Sequence, residues 1–270
     1  MVPIKDNVRT ARRPIVTLAL IAISFVLFGY QLILSDAPQS GDGRSAVSER
    51  GQFSITHGAI PDRLTHPGSD CGVASAAAGV GKVLCGDEGL IAAGAFDTAP
   101  WLTSLITSLF LSAGLLQLLL NTLFLWLLGN TLEDDLGWAG LVALYLFGGV
   151  FGLYAQSLIE PGSTLPVAAA AGGVAAVLGG YLVLHARARV LMMSVIPFFA
   201  GFVEVPVIPL VSGWLLLQFL PAISELSVTG IAEQPPGPYL VGLGGFLFGV
   251  VIIRLFGPTR PPEPVADDSR

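Results

Sequence analysis

The sequence predicts an all-α polytopic membrane protein, a bundle of six transmembrane helices with both termini on the cytoplasmic side. Three observations carry that expectation. Of 270 residues, 53% are hydrophobic and only 12% charged, with a mean hydropathy of +0.75, against about 25% charged in an ordinary soluble domain. Six apolar stretches each approach the ~20 residues that a helix needs to cross a bilayer. The basic residues sort to one side of that pattern, as retention in the cytoplasm requires.

The first stretch, residues 15–34, follows Lys5, Arg9, Arg12 and Arg13, a basic flank that secretory leaders share. It is longer than an ordinary leader core, and no small-residue cleavage site precedes Asp36, so it reads as a retained first span. Residues 1–14 then form a basic cytoplasmic arm and 35–103 an extracytoplasmic loop. Five further spans are expected over 104–128, 139–159, 166–184, 208–226 and 239–256, within a core of residues 104–256, and 257–270 is a Pro-rich acidic tail. Residues 190–206 are apolar but interrupted by Pro197, Gly201, Glu204 and Pro206. They read as an interfacial hairpin or the lead-in to span five, with a seventh span as the lesser alternative.

Six spans leave Lys5, Arg9, Arg12, Arg13, Arg187, Arg189, Arg254, Arg260 and Arg270 on one side, nine of the thirteen basic residues. That side is read as cytoplasmic. The other four share the 35–103 loop with eight acids, giving it a charge of −4. Both cysteines, Cys71 and Cys85, lie in this loop. An oxidising exterior favours a disulfide between them; two free thiols in a loose loop are the alternative. The sequence has no basic nucleic-acid face, phosphate-binding loop or metal-spaced Cys/His cluster, so no nucleic acid, cofactor or metal is expected.

Ionisable and nucleophilic side chains inside lipid are costly and therefore usually functional. Few are present here. His57 and His66 fall in the loop, His185 closes span four, and no span contains cysteine. Span two is the polar one, with Ser104, Ser108, Ser112, Gln117 and Asn121. Gln117 and Asn121, four residues apart, share a helical face, and interhelical hydrogen bonds worth roughly 0.6–2 kcal/mol account for them equally well. Gly148 and Gly152 in span three, Gly172, Gly173, Ala176 and Gly180 in span four, and Gly242, Gly245 and Gly249 in span six allow close backbone approach. Spans four and six are expected to pack together, with Gly172, Gly245 and Gly249 at the contact.

These residues also carry a resemblance. Thr107-Ser108-Leu109-Phe110-Leu111, Asn121-Thr122-Leu123-Phe124-Leu125-Trp126, Gly129 and Glu133-Asp134 to Gly137 resemble the second span and following loop of rhomboid intramembrane serine proteases (peptidase S54). Tyr145 with Gly148 and Gly149, then Gly172 through Leu178-Gly179-Gly180-Tyr181 and Arg187-Ala188-Arg189-Val190, look like the family's third span and the region of its catalytic serine. Gly242-Leu243-Gly244-Gly245-Phe246 to Gly249 is similar to its sixth span, and Gly58-Ala59-Ile60-Pro61 with Leu64-Thr65 to a stretch after span one of many bacterial members.

The resemblance implies a six-span rhomboid-like bundle in which a span-four serine attacks a peptide carbonyl and a span-six histidine activates it. Here the serine motif reads Ala169-Ala170-Ala171-Gly172, placing the serine position on Ala171, and the histidine position falls on Gly242. The oxyanion-binding positions of span two fall on Gln117 and Asn121, and a further histidine position on Ser112. A methyl group cannot form an acyl-enzyme, so the sequence reads as a pseudoprotease whose polar interior binds transmembrane segments of client proteins in a bacterial plasma (inner) membrane. An active intramembrane serine endopeptidase is the competing enzyme reading. A structural subunit or small-solute pathway is a weaker third, since few charges lie in the spans.

Overall fold

The computed structural model describes residues 2–6, 13–35, 48–66, 71–74, 82–85, 101–196, 199–218 and 239–258. Helix α1 (Ile15–Ile33) turns Thr17, Leu20, Ser24, Phe28 and Gln31 inward. That spacing of three and four residues forms one stripe. Ile15, Val26 and Ile33 are exposed on the other side. The face toward protein is thus the more polar one, the distribution that lipid imposes on a helix.

Beyond α1 come α2 (Glu49–His57), α3 (Pro61–Thr65) and α4 (Trp101–Ser108). The expected span over 104–128 is corrected here. The helix stops at Ser108, residues 109–114 leave it, and α5 (Leu115–Phe124) starts afresh after Gly114. Ser, Ala and Gly at 112–114 offer no propensity to bridge the gap. Gln117 then reaches back, its Oε1 accepting the Ala113 N–H at 3.1 Å, much as a capping box closes a helix start.

From Phe124 the helix continues through a π-helical turn, Leu125–Gly129, into α6 (Asn130–Ile159). The second span therefore runs past 128, and Glu133 and Asp134 are helical rather than looped. The break falls at Gly137, with φ 75° and ψ 168°, a conformation that only glycine adopts cheaply. Helix α7 (Ala170–His185) starts later than the expected 166. The preceding backbone is engaged elsewhere: Val167 and Ala59 exchange N–H···O bonds of 2.7 and 3.2 Å.

The all-α expectation also needs correction. Strands β1 (Val2–Asp6), β4 (Arg189–Ile196) and β5 (Phe199–Pro206) form an antiparallel sheet in the order β1-β4-β5. The region 190–206 is therefore a β-hairpin, stapled at its base by Arg189 to Glu204 at 3.4 Å. Strand β1 lies in the arm that was expected only to be basic. A second hairpin joins β2 (Cys71–Ala74) to β3 (Lys82–Cys85), with Cys71 and Cys85 paired and disulfide-bonded. Cys71 is buried with Ile55 of α2 and Ile60 at the start of α3, so the bridge closes the hairpin and apolar packing seats it on these two segments.

Helices α8 (Val207–Gln218) and α9 (Tyr239–Phe256) complete the bundle; residues 219–226 of the expected fifth span lie outside the described residues. Packing is most extensive between α7 and α9, with α6 against both. By length and composition, α1 and the continuous run Leu115–Ile159 are each apolar enough to cross a membrane, and Ala170–His185, Val207–Gln218 and Leu240–Phe256 are apolar but shorter. Phe147, Phe151, Leu158, Leu247, Val251 and Leu255 are exposed around this core.

Two polar clamps fix α1. At its start the buried Glu133 carboxylate accepts N–H bonds from Val16 (2.9 Å) and Thr17 (2.8 Å) and the Thr17 hydroxyl (2.8 Å). A negative charge there satisfies orphan donors and meets the positive end of the helix dipole. At its finish Arg50 donates from Nε to the Gln31 carbonyl at 2.8 Å and from Nη2 to that of Leu34 at 3.3 Å. Glu133→Ala is expected to cost about 2–4 kcal/mol, because three donors lose a charged acceptor in a water-poor setting. Unfolding by SDS titration in mild detergent measures it; an unchanged midpoint would mean that water replaces the carboxylate.

Candidate functional site

The site is assembled where α7 begins. Ala169 donates its N–H to the Ser108 carbonyl at 2.7 Å, and Gly172 closes the first turn onto the Ala169 carbonyl at 2.9 Å. Ala169, Ala170 and Ala171 are all buried. Behind them the Tyr145 hydroxyl donates to the Leu109 carbonyl at 2.8 Å. A Cβ on Gly173 would lie 2.8 Å from the Tyr145 ring, so that contact needs a glycine.

Helix α9 crosses this start at very short range. A Cβ on Gly172 would lie 2.8 Å from Val241 Cγ1 and 3.2 Å from the Val241 carbonyl oxygen. One on Gly245 would fall on the Gly172 carbonyl oxygen, and one on Gly249 on that of Ala176. Val241 precedes Gly242 and Gly172 follows Ala171, so the fold brings these two positions to one seam although 71 residues separate them in sequence.

The seam is not uniform. Among the described residues, a Cβ at Gly242 would meet only Gln218, at 3.8 Å from Nε2 and 4.0 Å from Cγ. The described residues thus leave this position loosely contacted, while the glycines one and two turns further on are in backbone contact. Gln218 was not singled out by the sequence reading. A lone carboxamide near the end of an apolar helix was the signal, and its Nε2 is buried without a hydrogen-bond partner among the described residues.

The polar residues of the second span divide three ways. Gln117 spends its oxygen on Ala113, leaving its amide nitrogen as a donor. Asn121 is 3% exposed, and neither its Oδ1 nor its Nδ2 has a partner among the described residues. It sits one turn before the π-helical segment, a kind of local widening that often accompanies functional positions, and the Asn121 carbonyl shares the Leu125 N–H with that of Thr122. Ser112 lies outside α5 altogether, buried and with no partner for its Oγ among the described residues.

No histidine approaches the seam. The His57 ring stacks on Phe53 in α2, and His66 lies beside Asp62 at 3.4 Å. His185 meets Asp135 at 2.5 Å, at the far end of α7, roughly 21 Å from residue 171 at 1.5 Å per residue. The hydroxyls of Ser108 and Ser157 donate to the Leu105 and Leu153 carbonyls within their own helices. With Ser112 unpartnered, none of these three serines is paired with a base among the described residues, as nucleophilic catalysis requires. Outside the spans, burial pushes the Glu160 carboxyl above the usual carboxylate range, opposed by the hydrogen bond from Gln156.

A helical core with an apolar exterior, an inward polar stripe on α1 and a glycine-lined central crossing defines an integral membrane protein. The family model of the Rhomboid domain matches residues 100–259, and the chain belongs to the rhomboid family. No curated protein and no solved structure matches it.

Proposed function

We propose that this protein is a six-span rhomboid scaffold without proteolytic chemistry, which holds transmembrane segments of client proteins in a bacterial plasma membrane. Both termini are cytoplasmic in this reading. The observation that carries it is the identity of the two positions beside the Gly172–Val241 contact: at Ala171 and Gly242 a methyl and a hydrogen stand where a nucleophile and its base are needed. Among the described residues, the unpartnered amide of Asn121 and the loose contact between position 242 and Gln218 support a retained polar recess. The antiparallel pairing of β1 with β4 supports a common side for the N-terminus and the end of α7, where the basic residues gather.

Photocrosslinking from residue 171 or 117 in living membranes tests client binding. Repeated capture of a defined set of membrane proteins, lost when the recess is filled by Gly242→Leu, is expected. Capture of nothing specific would count against the reading. A fluorophosphonate probe separates the enzyme alternative, since an activated serine labels and an alanine does not.

A further inference from the structure

Helix α6 ends on a polar pair that takes no part in the seam. The Gln156 amide nitrogen donates to Glu160 Oε2 at 2.9 Å. The other oxygen of each group, Gln156 Oε1 and Glu160 Oε1, is buried and has no hydrogen-bond partner among the described residues. Buried polar atoms seldom stay unpaired, and here one pair of side chains leaves two.

An ionised Glu160 has only acceptors, so neither orphaned oxygen can satisfy the other. One proton changes that. A carboxylic acid presents an O–H beside a carbonyl oxygen, the complement of the N–H and carbonyl oxygen of a carboxamide, and the two planar groups close a ring of two hydrogen bonds. A proton on Glu160 Oε1 therefore serves both orphans. Burial favours the same form: it raises the Glu160 carboxyl above the usual carboxylate range and outweighs the bond from Gln156 that opposes it. Glu160 is half-buried, so solvent can supply and remove the proton.

The pair stands at the root of the segment that leads into α7. Ser163 donates its N–H to the Glu160 carbonyl at 3.1 Å, Asp62 of α3 donates its own to the Ser163 carbonyl at 3.1 Å, and the Thr65 hydroxyl donates to that of Pro161 at 2.9 Å. Val167 then pairs with Ala59. The titratable and charged groups brought to α6 by its neighbours are Asp62 and Arg63 of α3, His66 just after it, and Tyr239 at the start of α9, whose Arg254 lies at the other end; Tyr154 lies on α6 itself. Among the described residues the Glu160 carboxyl bonds only Gln156.

We propose that Glu160 and Gln156 form an acid–amide latch, closed while Glu160 is protonated and opened as pH rises, which holds α3 and residues 160–167 against the end of α6. The folded chain binds this proton more tightly than an unfolded one, so the stabilisation is complete in acid and is lost as pH rises through the raised range. The latch is independent of client binding.

Hydrogen exchange of the full-length protein in detergent micelles tests it, read by mass spectrometry from acid to mildly alkaline pH and corrected for the intrinsic pH dependence of exchange. Protection in the peptides carrying Asp62, Ser163 and Val167 is expected to fall about tenfold as pH rises, the size of one net hydrogen bond. Glu160→Gln keeps the ring with a neutral amide in place of the acid and should hold the acid-form protection at every pH. His66 and Asp62, 3.4 Å apart, form another pair that strengthens in acid, so His66→Gln should leave the fall in place. An infrared band of a protonated carboxyl, titrating in the native chain and missing from Glu160→Gln, is expected alongside. Protection independent of pH, a fall that survives in Glu160→Gln or vanishes in His66→Gln, or the absence of that band would overturn the latch.

Discussion

Introducing Ala171→Ser, Gly242→His and Gln117→His together is expected to give a chain that cleaves a generic transmembrane rhomboid substrate in proteoliposomes, while the native chain leaves it intact. The expected contrast is large. In serine proteases, removal of the nucleophile or its base lowers kcat by about 10⁶, and what remains over water is roughly 10³–10⁴. The seam has room for the change. A side chain at 242 starts 3.8 Å from Gln218 Nε2, the far end of a side chain that can move, and serine at 171 adds one oxygen to an alanine. The third substitution gives up the bond from Ala113 to Gln117, so the double variant without it controls for a loosened helix start. Cleavage by the native chain would refute the pseudoprotease reading and require a search for another nucleophile. Silence of both chains would show that more than the dyad has been lost.

Gly249→Ala is the second large effect, expected to destabilise by about 2–4 kcal/mol despite adding a single methyl. The new Cβ would fall on the Ala176 carbonyl oxygen, with the Ala176 C and Cα at 2.8 and 2.9 Å. All three atoms belong to backbone, so no rotamer change relieves the clash and the helices must separate. Overpacking of this kind costs more than a tight side-chain contact, for which 1–3 kcal/mol is usual. Gly29 in α1 provides the contrast. Among the described residues nothing lies within 4 Å of a Cβ there, so Gly29→Ala should be neutral or stabilise by up to about 1 kcal/mol through helix propensity. SDS unfolding midpoints of the two variants compare them directly. If Gly249→Ala matches the native protein, α7 and α9 do not touch as closely as their backbones here do.

Much of this molecule was legible in one dimension because lipid leaves little choice. A backbone inside a bilayer must satisfy its own hydrogen bonds, so apolar runs near 20 residues become helices; α1 and α9 fall where composition put them, within a residue. The small residues of span four and span six signalled a close crossing for the same reason, since only backbone packing drives association between apolar helices in lipid. Element limits were harder to read where tertiary hydrogen bonds competed with helix. The start of α7 shifted because Val167 pairs with Ala59, and the expected second span divided at 109–114, where Ala169 bonds Ser108 and Tyr145 bonds Leu109. A hairpin over 190–206 was one of the readings its Pro and Gly interruptions offered, but its partner β1 was hidden because pairing across more than 180 residues leaves no local period.

By itself, then, the sequence determined the helical membrane class, the family resemblance, and the identities of Ala171 and Gly242, because these depend on residue type and local pattern. Only the tertiary structure decided that their chain neighbours Gly172 and Val241 touch, that Gln218 lies nearest to position 242 among the described residues, and that Glu133 caps α1. Each of these is a contact between segments far apart in the chain. Such contacts are selected by how helices cross, and their crossing depends on every small residue along the seam at once.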